Sequence, residues 1–318
     1  LLKRILKDQP DNIDALYLSA VSSRYLKKFD ESKSYIMNLL SNAPDMGRAY
    51  QEYGHLNRDQ GNEEKAVMHY RQACELNPAL LASWNFLYQY FTKHKNKPAA
   101  DHAEEQLKKL KSLPGLLLYI SQILNEGRLG LAEEKCRAFL KQNPTNTYAM
   151  SRLAEIANRL GYFDDAEFLL EKAVEFSPDD GDLRMKYAEI LRKKQKFSKT
   201  MEQVEILCEK FPNNLNYKAQ KASEIMQNGD HEEAINILND ILKKNPYNFS
   251  TLTSRGHAQN TLGKTDQAIE SYQSAYQIKP DHGEAFFSLA NLKTYSFTNQ
   301  VLDNMREQVE RIDLSSRD

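Results

Sequence analysis

Residues 143–178 read NPTNTYAMSRLAEIANRLGYFDDAEFLLEKAVEFSP, two segments of recurring apolar residues that meet at a Leu-Gly turn and are flanked by prolines. Apolar side chains every three to four positions mark each half as an amphipathic helix, and the glycine between them marks the stop of the first. Pro144 and Pro178 are 34 residues apart; the same interval leads on to Pro212, Pro246 and Pro280, and it separates Pro10, Pro44 and Pro78 upstream. With this proline as position 32 of a unit, the chain divides into 13–46, 47–80, 81–112, 113–146, 147–180, 181–214, 215–248 and 249–282. Residues 1–12 precede them as the second helix of a truncated unit, and a divergent partial unit, 283–318, follows. The third unit is irregular: it has 32 residues, lacks the closing proline and runs directly into Leu113-Pro114-Gly115.

Side-chain size repeats with the same period. Position 8 reads Ala20, Gly54, Tyr88, Ile120, Ala154, Ala188, Ala222, Gly256 and Ala290, and position 20 is Ser, Thr or Ala from Ser32 to Ala268. Small residues at two fixed places let one helix cross closely over another, while Tyr70, Trp84, Leu87, Phe91 and Tyr272 fill the space between. A 34-residue helix–turn–helix with this pattern resembles the tetratricopeptide repeat (TPR), and the resemblance spans essentially the whole chain. It implies an all-α, right-handed superhelical TPR solenoid in which each unit buries its apolar face only by stacking on its neighbours. Two residues missing from the third unit should change how the next helix docks near Ser112–Gly115. Both ends read as cut through repeats, so a longer polypeptide is expected.

Composition agrees with a helical chain of large surface. Glycine and proline make up 22 of 318 residues, low for an all-β or collagen-like chain. Lys plus Arg number 43 against 44 Asp plus Glu, so no net positive field exists to hold a polyanion, and nucleic acid is not the expected partner. Cys74, Cys136 and Cys208 form no Cys-x-x-Cys pair, so they read as reduced core residues, without a zinc site or disulfide framework. No apolar stretch approaches the ~20 residues of a membrane span, and nothing at the start resembles a signal peptide. The expected location is cytoplasmic.

Motifs of chemistry are sparse. Residues 258–265, AQNTLGKT, match a relaxed phosphate-binding loop, but such a loop needs a preceding strand, and here Gly263 falls at the inter-helix turn shared with Gly61, Gly127, Gly161 and Gly229. His94 and His102 are the nearest histidine pair, and no metal-ligand spacing or catalytic triad can be assembled. The basic run Thr92–Lys97 falls in an inter-helix turn and reads as a solvated charge cluster. No catalytic, cofactor-binding or metal residue is expected in this segment.

A binding role follows from the resemblance instead. In TPR proteins the first helices line a concave groove, with positions 2, 5, 9, 12 and 13 commonly facing it. Those positions give an apolar set, Tyr17, Val21, Tyr25, Leu117 and Leu124, and a basic set, Arg48, Arg58, Arg159, Arg192 and Lys193. Such a groove suits a protein or peptide with hydrophobic anchors and acidic flanks. The alternative has Leu117 and Leu124 covered by neighbouring repeats and the arginines paired with local acids. The Lys/Asn clamp for acidic chaperone tails and the asparagine ladder of TPR glycosyltransferases are both absent.

The last unit departs from the pattern. Ser288 to Tyr295 with Phe297, an amphipathic segment carrying Val301, Met305 and Val309, and then Ile312-Asp-Leu-Ser are similar to the junction before the catalytic domain of bacterial TPR-containing sulfotransferases. That resemblance implies a parent enzyme using 3′-phosphoadenosine 5′-phosphosulfate (PAPS) in a domain beyond Asp318, with this chain as its N-terminal recruiting or homodimerising arm. The alternatives are a free-standing adaptor that assembles a protein complex, and a divergent repeat that caps the stack with a polar face.

Overall fold

A computed structural model of the chain describes residues 1–292 and 295–309. The Ile312-Asp-Leu-Ser turn expected from the sequence lies outside the described residues, as do Lys293 and Thr294. Among the described residues there are nineteen α-helices and no strand. They fall into two compact units, Leu1–Tyr162 and Phe163–Asp318.

The first unit holds α1 (Leu2–Asp8), α2 (Ile13–Tyr25), α3 (Phe29–Asn42), α4 (Gly47–Asp59), α5 (Glu63–Leu76), α6 (Leu81–Lys93), α7 (Lys97–Lys111), α8 (Gly115–Asn125), α9 (Leu129–Gln142) and α10 (Thr147–Arg159). The second holds α11 (Phe163–Phe176), α12 (Gly181–Lys193), α13 (Phe197–Lys210), α14 (Leu215–Gln227), α15 (His231–Lys244), α16 (Phe249–Thr261), α17 (Thr265–Ile278), α18 (Gly283–Asn291) and α19 (Asn299–Val309). Within each unit, the pairs α2–α3, α4–α5, α6–α7, α8–α9, α12–α13, α14–α15 and α16–α17 pack as antiparallel hairpins, and most neighbouring hairpins stack on one another, but α7 packs little against α8 and α18 little against α19.

Local chemistry sets the helix ends. Asn12, Asn96, Asn146, Asp180, Asn214, Asp230 and Asn248 each accept a hydrogen bond from a backbone N–H in the first turn, satisfying donors that have no partner within the helix. The turn after the first helix of a hairpin needs a left-handed residue. Glycine supplies it at five sites, whereas Lys27, Lys95 and Gln195 adopt φ of 58°, 56° and 57° at the equivalent place.

The core follows the small–large pattern. Ser32, Ala66, Ala132, Ala166, Thr200, Ala234 and Ala268 are all 0% exposed. The Ser32 hydroxyl donates to the Ala20 carbonyl at 2.9 Å, so this polar residue costs no unsatisfied group where alanine usually stands. At Gly256 an added Cβ would lie 2.5 Å from the ring of buried Tyr272, so glycine is required there by close approach. Cys74 and Cys136 are buried free thiols, as a core reading expects, but Cys208 is only half-buried.

The phosphate-loop candidate is an ordinary hairpin turn: α16 precedes it, Gly263 has φ +73°, and Lys264 pairs with Glu232 at 3.1 Å. In the basic run, Lys93 pairs with Glu63 at 2.8 Å. His102 meets the edge of Trp84, and among the described residues no group of three or more His, Cys, Asp or Glu is placed to hold a metal. No described helix is long and apolar enough to cross a membrane.

The irregularity lies one helix later than the spacing suggests. Helix α8 begins at Gly115, 34 residues after α6 begins, but has 11 residues where α2, α4, α6 and α10 have 13. The missing pair therefore falls in α8. Its docking is also distinctive, because the polar end of α8 reaches back to the α5–α6 turn. The Gln122 amide donates to the Ala79 carbonyl at 3.0 Å, and the Asn77 amide donates to the Gln122 carbonyl at 3.1 Å. The Asn125 amide in turn donates to the Asn77 side-chain oxygen at 3.1 Å.

Candidate peptide-binding groove

The first unit gathers most of the groove candidates. Tyr17 lies under the Arg48 guanidinium, 4.9 Å from ring centre to carbon, a cation–π arrangement. Arg48 also meets Glu126 at 2.5 Å, although the angles are not those of a hydrogen bond, so the pairing is ionic. Arg128, three residues beyond α8, pairs with Asp14 at the start of α2. The Glu126 side chain is only 3% exposed, and burial raises its carboxyl above the usual range despite Arg48 and Arg128. Burial likewise raises the Tyr17 hydroxyl.

A second network crosses the same repeats. Arg24 bonds Glu52 at 2.5 Å and Asp59 at 2.8 Å, and Arg58 bonds Asp59 at 2.7 Å. Burial raises the Glu52 carboxyl, and the permanently charged Arg24 limits the rise. For Asp59 burial also pushes upward, but the hydrogen bonds from Arg58 and Arg24 outweigh it and hold the carboxyl low. Burial, reinforced by Arg24 and Arg58, pushes the His55 imidazole down to about 4. The neutral ring bonds the Tyr70 hydroxyl through Nδ1 at 2.5 Å.

Two concavities adjoin these networks. One of about 490 Å³ is lined by Arg24, Tyr25, Lys27, Phe29, His55, Arg58 and Asp59. Tyr25 is 74% exposed there, with Arg24 stacked 4.5 Å from its ring centre. The other, about 890 Å³, lies among the start of α2, the α3–α4 turn and the α8–α9 turn; Asp14, Asn125, Glu126, Arg128 and Arg159 line it.

The ten sequence candidates therefore separate. Tyr25 and Arg58 share the smaller concavity, and Tyr17 and Arg48 stack on each other. Val21 is half-buried in α2 and lines neither. Arg159 lines the larger concavity while bonding Glu155 at 2.6 Å and the Leu124 carbonyl at 3.0 Å. Arg192 and Lys193 belong to the second unit, where Arg192 pairs with Glu224 at 2.9 Å and Lys193 lies 5.9 Å from the Phe163 ring centre.

Leu117 and Leu124 must be withdrawn from the groove. They are 1% and 0% exposed, core residues of α8. Counted from the helix's own start they stand third and tenth, as do buried Ala49 and Leu56 in α4 and Ala149 and Ile156 in α10. Numbering from Leu113 displaced them by two residues, a rotation of about 200° at 100° per residue. Sequence reasoning also missed Asp14, Arg24, Glu52, Asn77, Glu126 and Arg128. Buried charge at Arg24 and Glu52, inside apolar-periodic helices, was the available signal.

Comparison with known proteins identifies tetratricopeptide repeats along the chain. Two models described as tetratricopeptide repeat match residues 124–190 and 47–80, and one described as the N-terminal TPR repeats region of psidin matches 191–306. Among solved structures, MamA is similar at 16% identity and TM-score 0.46, over 51% of this chain and 94% of that one. YrrB, described as a TPR protein with an unusual peptide-binding site, is similar at 15% identity and TM-score 0.44, over 69% and 96%. The human IFIT1 dimer with m7Gppp-AAAA is similar at 17% identity and TM-score 0.48, over 84% and 68%.

Proposed function

We propose that this chain, built of tetratricopeptide repeats, is a non-catalytic protein-interaction scaffold, and that a peptide carrying a carboxylate beside an aromatic or aliphatic side chain seats in the 490 Å³ concavity of its first unit. The observation that carries this is the lining: three cations, Arg24, Lys27 and Arg58, stand against one acid, Asp59, beside exposed Tyr25. Arg24 and Arg58 are already held by Glu52 and Asp59, so Lys27 and the outer face of Arg58 supply the attraction. Tyr25 offers apolar area at small entropic cost.

A photo-crosslinking amino acid at residue 25 tests this. It should capture a defined partner peptide, and Lys27→Glu with Arg58→Glu should abolish the capture. The same probe at Phe176, exposed in the second unit, is the control. Capture that is equal at both positions, or unaffected by charge reversal, would overturn the assignment.

The finer reading, a recruiting arm of a PAPS-dependent bacterial sulfotransferase, rests on the Ser288–Phe297 resemblance. The psidin-type TPR match extends to residue 306 and so covers the same segment as repeat. A sulfotransfer assay on the parent polypeptide with PAPS, with and without this arm, separates the arm from the free-standing adaptor.

A further inference from the structure

Helix α18 carries a pair of side chains that matches the first-unit concavity. Glu284 and Phe287 stand one turn apart on it; both are exposed, Phe287 to 69%. Residues three apart on a helix are neighbours on its surface, so this is a carboxylate beside an aromatic ring. An apolar crevice of about 280 Å³ adjoins the pair, where α18 and α19 pack little against each other. Phe286, Phe287, Ala290, Met305 and Val309 line it, and Asp281 is the charged group of its lining.

The first unit presents the opposite surface. Tyr25 and Leu26 are adjacent and 74% and 69% exposed, and Lys27 and Arg58 line the 490 Å³ concavity with Tyr25. One surface thus sets exposed apolar groups beside cations, and the other sets an apolar crevice and an exposed ring beside acids. The two are complementary in charge and in apolar character. Helix α11 repeats the acid-and-ring order in Asp165 and Phe168, both exposed, but Lys172 one turn further adds a cation that the concavity repels.

We propose that the occupant of the first-unit concavity is α18 of a second copy of this chain. Glu284 meets Lys27 and Arg58, Phe287 seats against Tyr25, and Leu26 enters the crevice beside Phe287. The proposal rests on the carboxylate-and-ring reading of the concavity and names its partner. The contact is heterologous: each pairing leaves one concavity and one α18 surface open, so association continues from copy to copy as concentration rises.

The test is sedimentation equilibrium on the full chain, whose average mass should grow with concentration. Lys27→Glu with Arg58→Glu disables the concavity, and Glu284→Lys with Phe287→Asp disables α18; all four side chains are exposed. Either variant alone should associate at least about tenfold more weakly. Their equimolar mixture should form a species of two chains and nothing larger, because one intact concavity then meets one intact α18. Misfolded variants could not pair in this way. A photo-crosslinking amino acid at residue 287 should join Tyr25 or Phe29 of another chain. A chain that stays monomeric at millimolar concentration, a mixture that does not pair, or a cross-link within one chain would overturn the proposal. Loss of association in Phe168→Asp but not in Phe287→Asp would overturn it as well. A monomeric chain that still captures a foreign peptide at residue 25 loses only the second-copy occupant, whereas one that captures nothing there loses the reading of the concavity too.

Discussion

Two histidines in the second repeat should make the first unit sensitive to acid. Burial lowers His69 to about 4, and burial with Arg24 and Arg58 lowers His55 to about 4, from 6.5 in each case. The unfolded chain therefore takes up protons as pH falls through 6.5, while the folded rings stay neutral. Stability is full above 6.5 and is lost down to about 4. A displacement of this size corresponds to roughly 3 kcal/mol per histidine at about 1.36 kcal/mol per unit. About 2 kcal/mol of it is lost by pH 5, and partial exposure of both rings reduces that to about 1–2 kcal/mol each. Glu52 and Glu126 act in the opposite sense, because their raised carboxyls favour the folded state as they protonate. His69→Gln isolates the histidine contribution. It removes the stack on Tyr53, with ring centres 3.9 Å apart, at every pH, and it removes the proton linkage only in acid. The assay is urea unfolding followed by Trp84, the chain's one tryptophan, which lies in the first unit. Between pH 7 and 5 the variant should lose about 1–2 kcal/mol less than the unmodified chain. Equal losses would refute the reasoning.

Other consequences are equally direct. Gly256→Ala should destabilise the second unit by about 2–3 kcal/mol through overpacking against Tyr272, and Tyr272→Leu in the same chain should recover part of it in a double-mutant cycle. Leu124→Ala should cost about 2–5 kcal/mol by denaturant titration, as a core residue does, and should leave peptide capture at residue 25 intact. Lys95→Gly should raise stability by about 0.5–1 kcal/mol, because relief of a left-handed lysine exceeds the added flexibility of the unfolded chain. In the native chain a thiol reagent should modify Cys208 first, since burial pushes Cys74 up to about 12 and Cys136 up to about 11.

The helical architecture was legible because it rests on local rules. Proline at one phase, glycine or its substitutes at the turn and small residues at position 20 report on neighbours within the same hairpin, so one sequence window contains both partners. Ser32 and Thr200 could be read as alanine equivalents for that reason. The groove was less legible because its determinants are distant. Arg24 and Glu52 are 28 residues apart, and Asp14 and Arg128 are 114 apart, so no window holds both. The change in docking near Gly115 was foreseeable from a two-residue deficit. Its place within α8 was not, since a missing pair at a helix end leaves the following turn in phase and rotates only the residues before it. Leu117 and Leu124 were assigned to the groove by that rotation. The basic set was only partly legible for a different reason: Arg48, Arg58, Arg159 and Arg192 recur at groove positions, and each also meets an acid that the position numbering does not reveal.

Peptide recognition by the first unit is proposed to run through its cationic and aromatic concavity. The most direct measurement is a peptide-display selection on the full chain, followed by titration of the enriched peptide against the unmodified chain and the Lys27→Glu, Arg58→Glu variant. The account predicts an enriched pattern of Asp or Glu beside an aromatic or aliphatic residue, with at least about tenfold weaker binding to the variant, the equivalent of 1.4 kcal/mol. Enrichment of basic peptides, or an affinity indifferent to the two reversals, would contradict it.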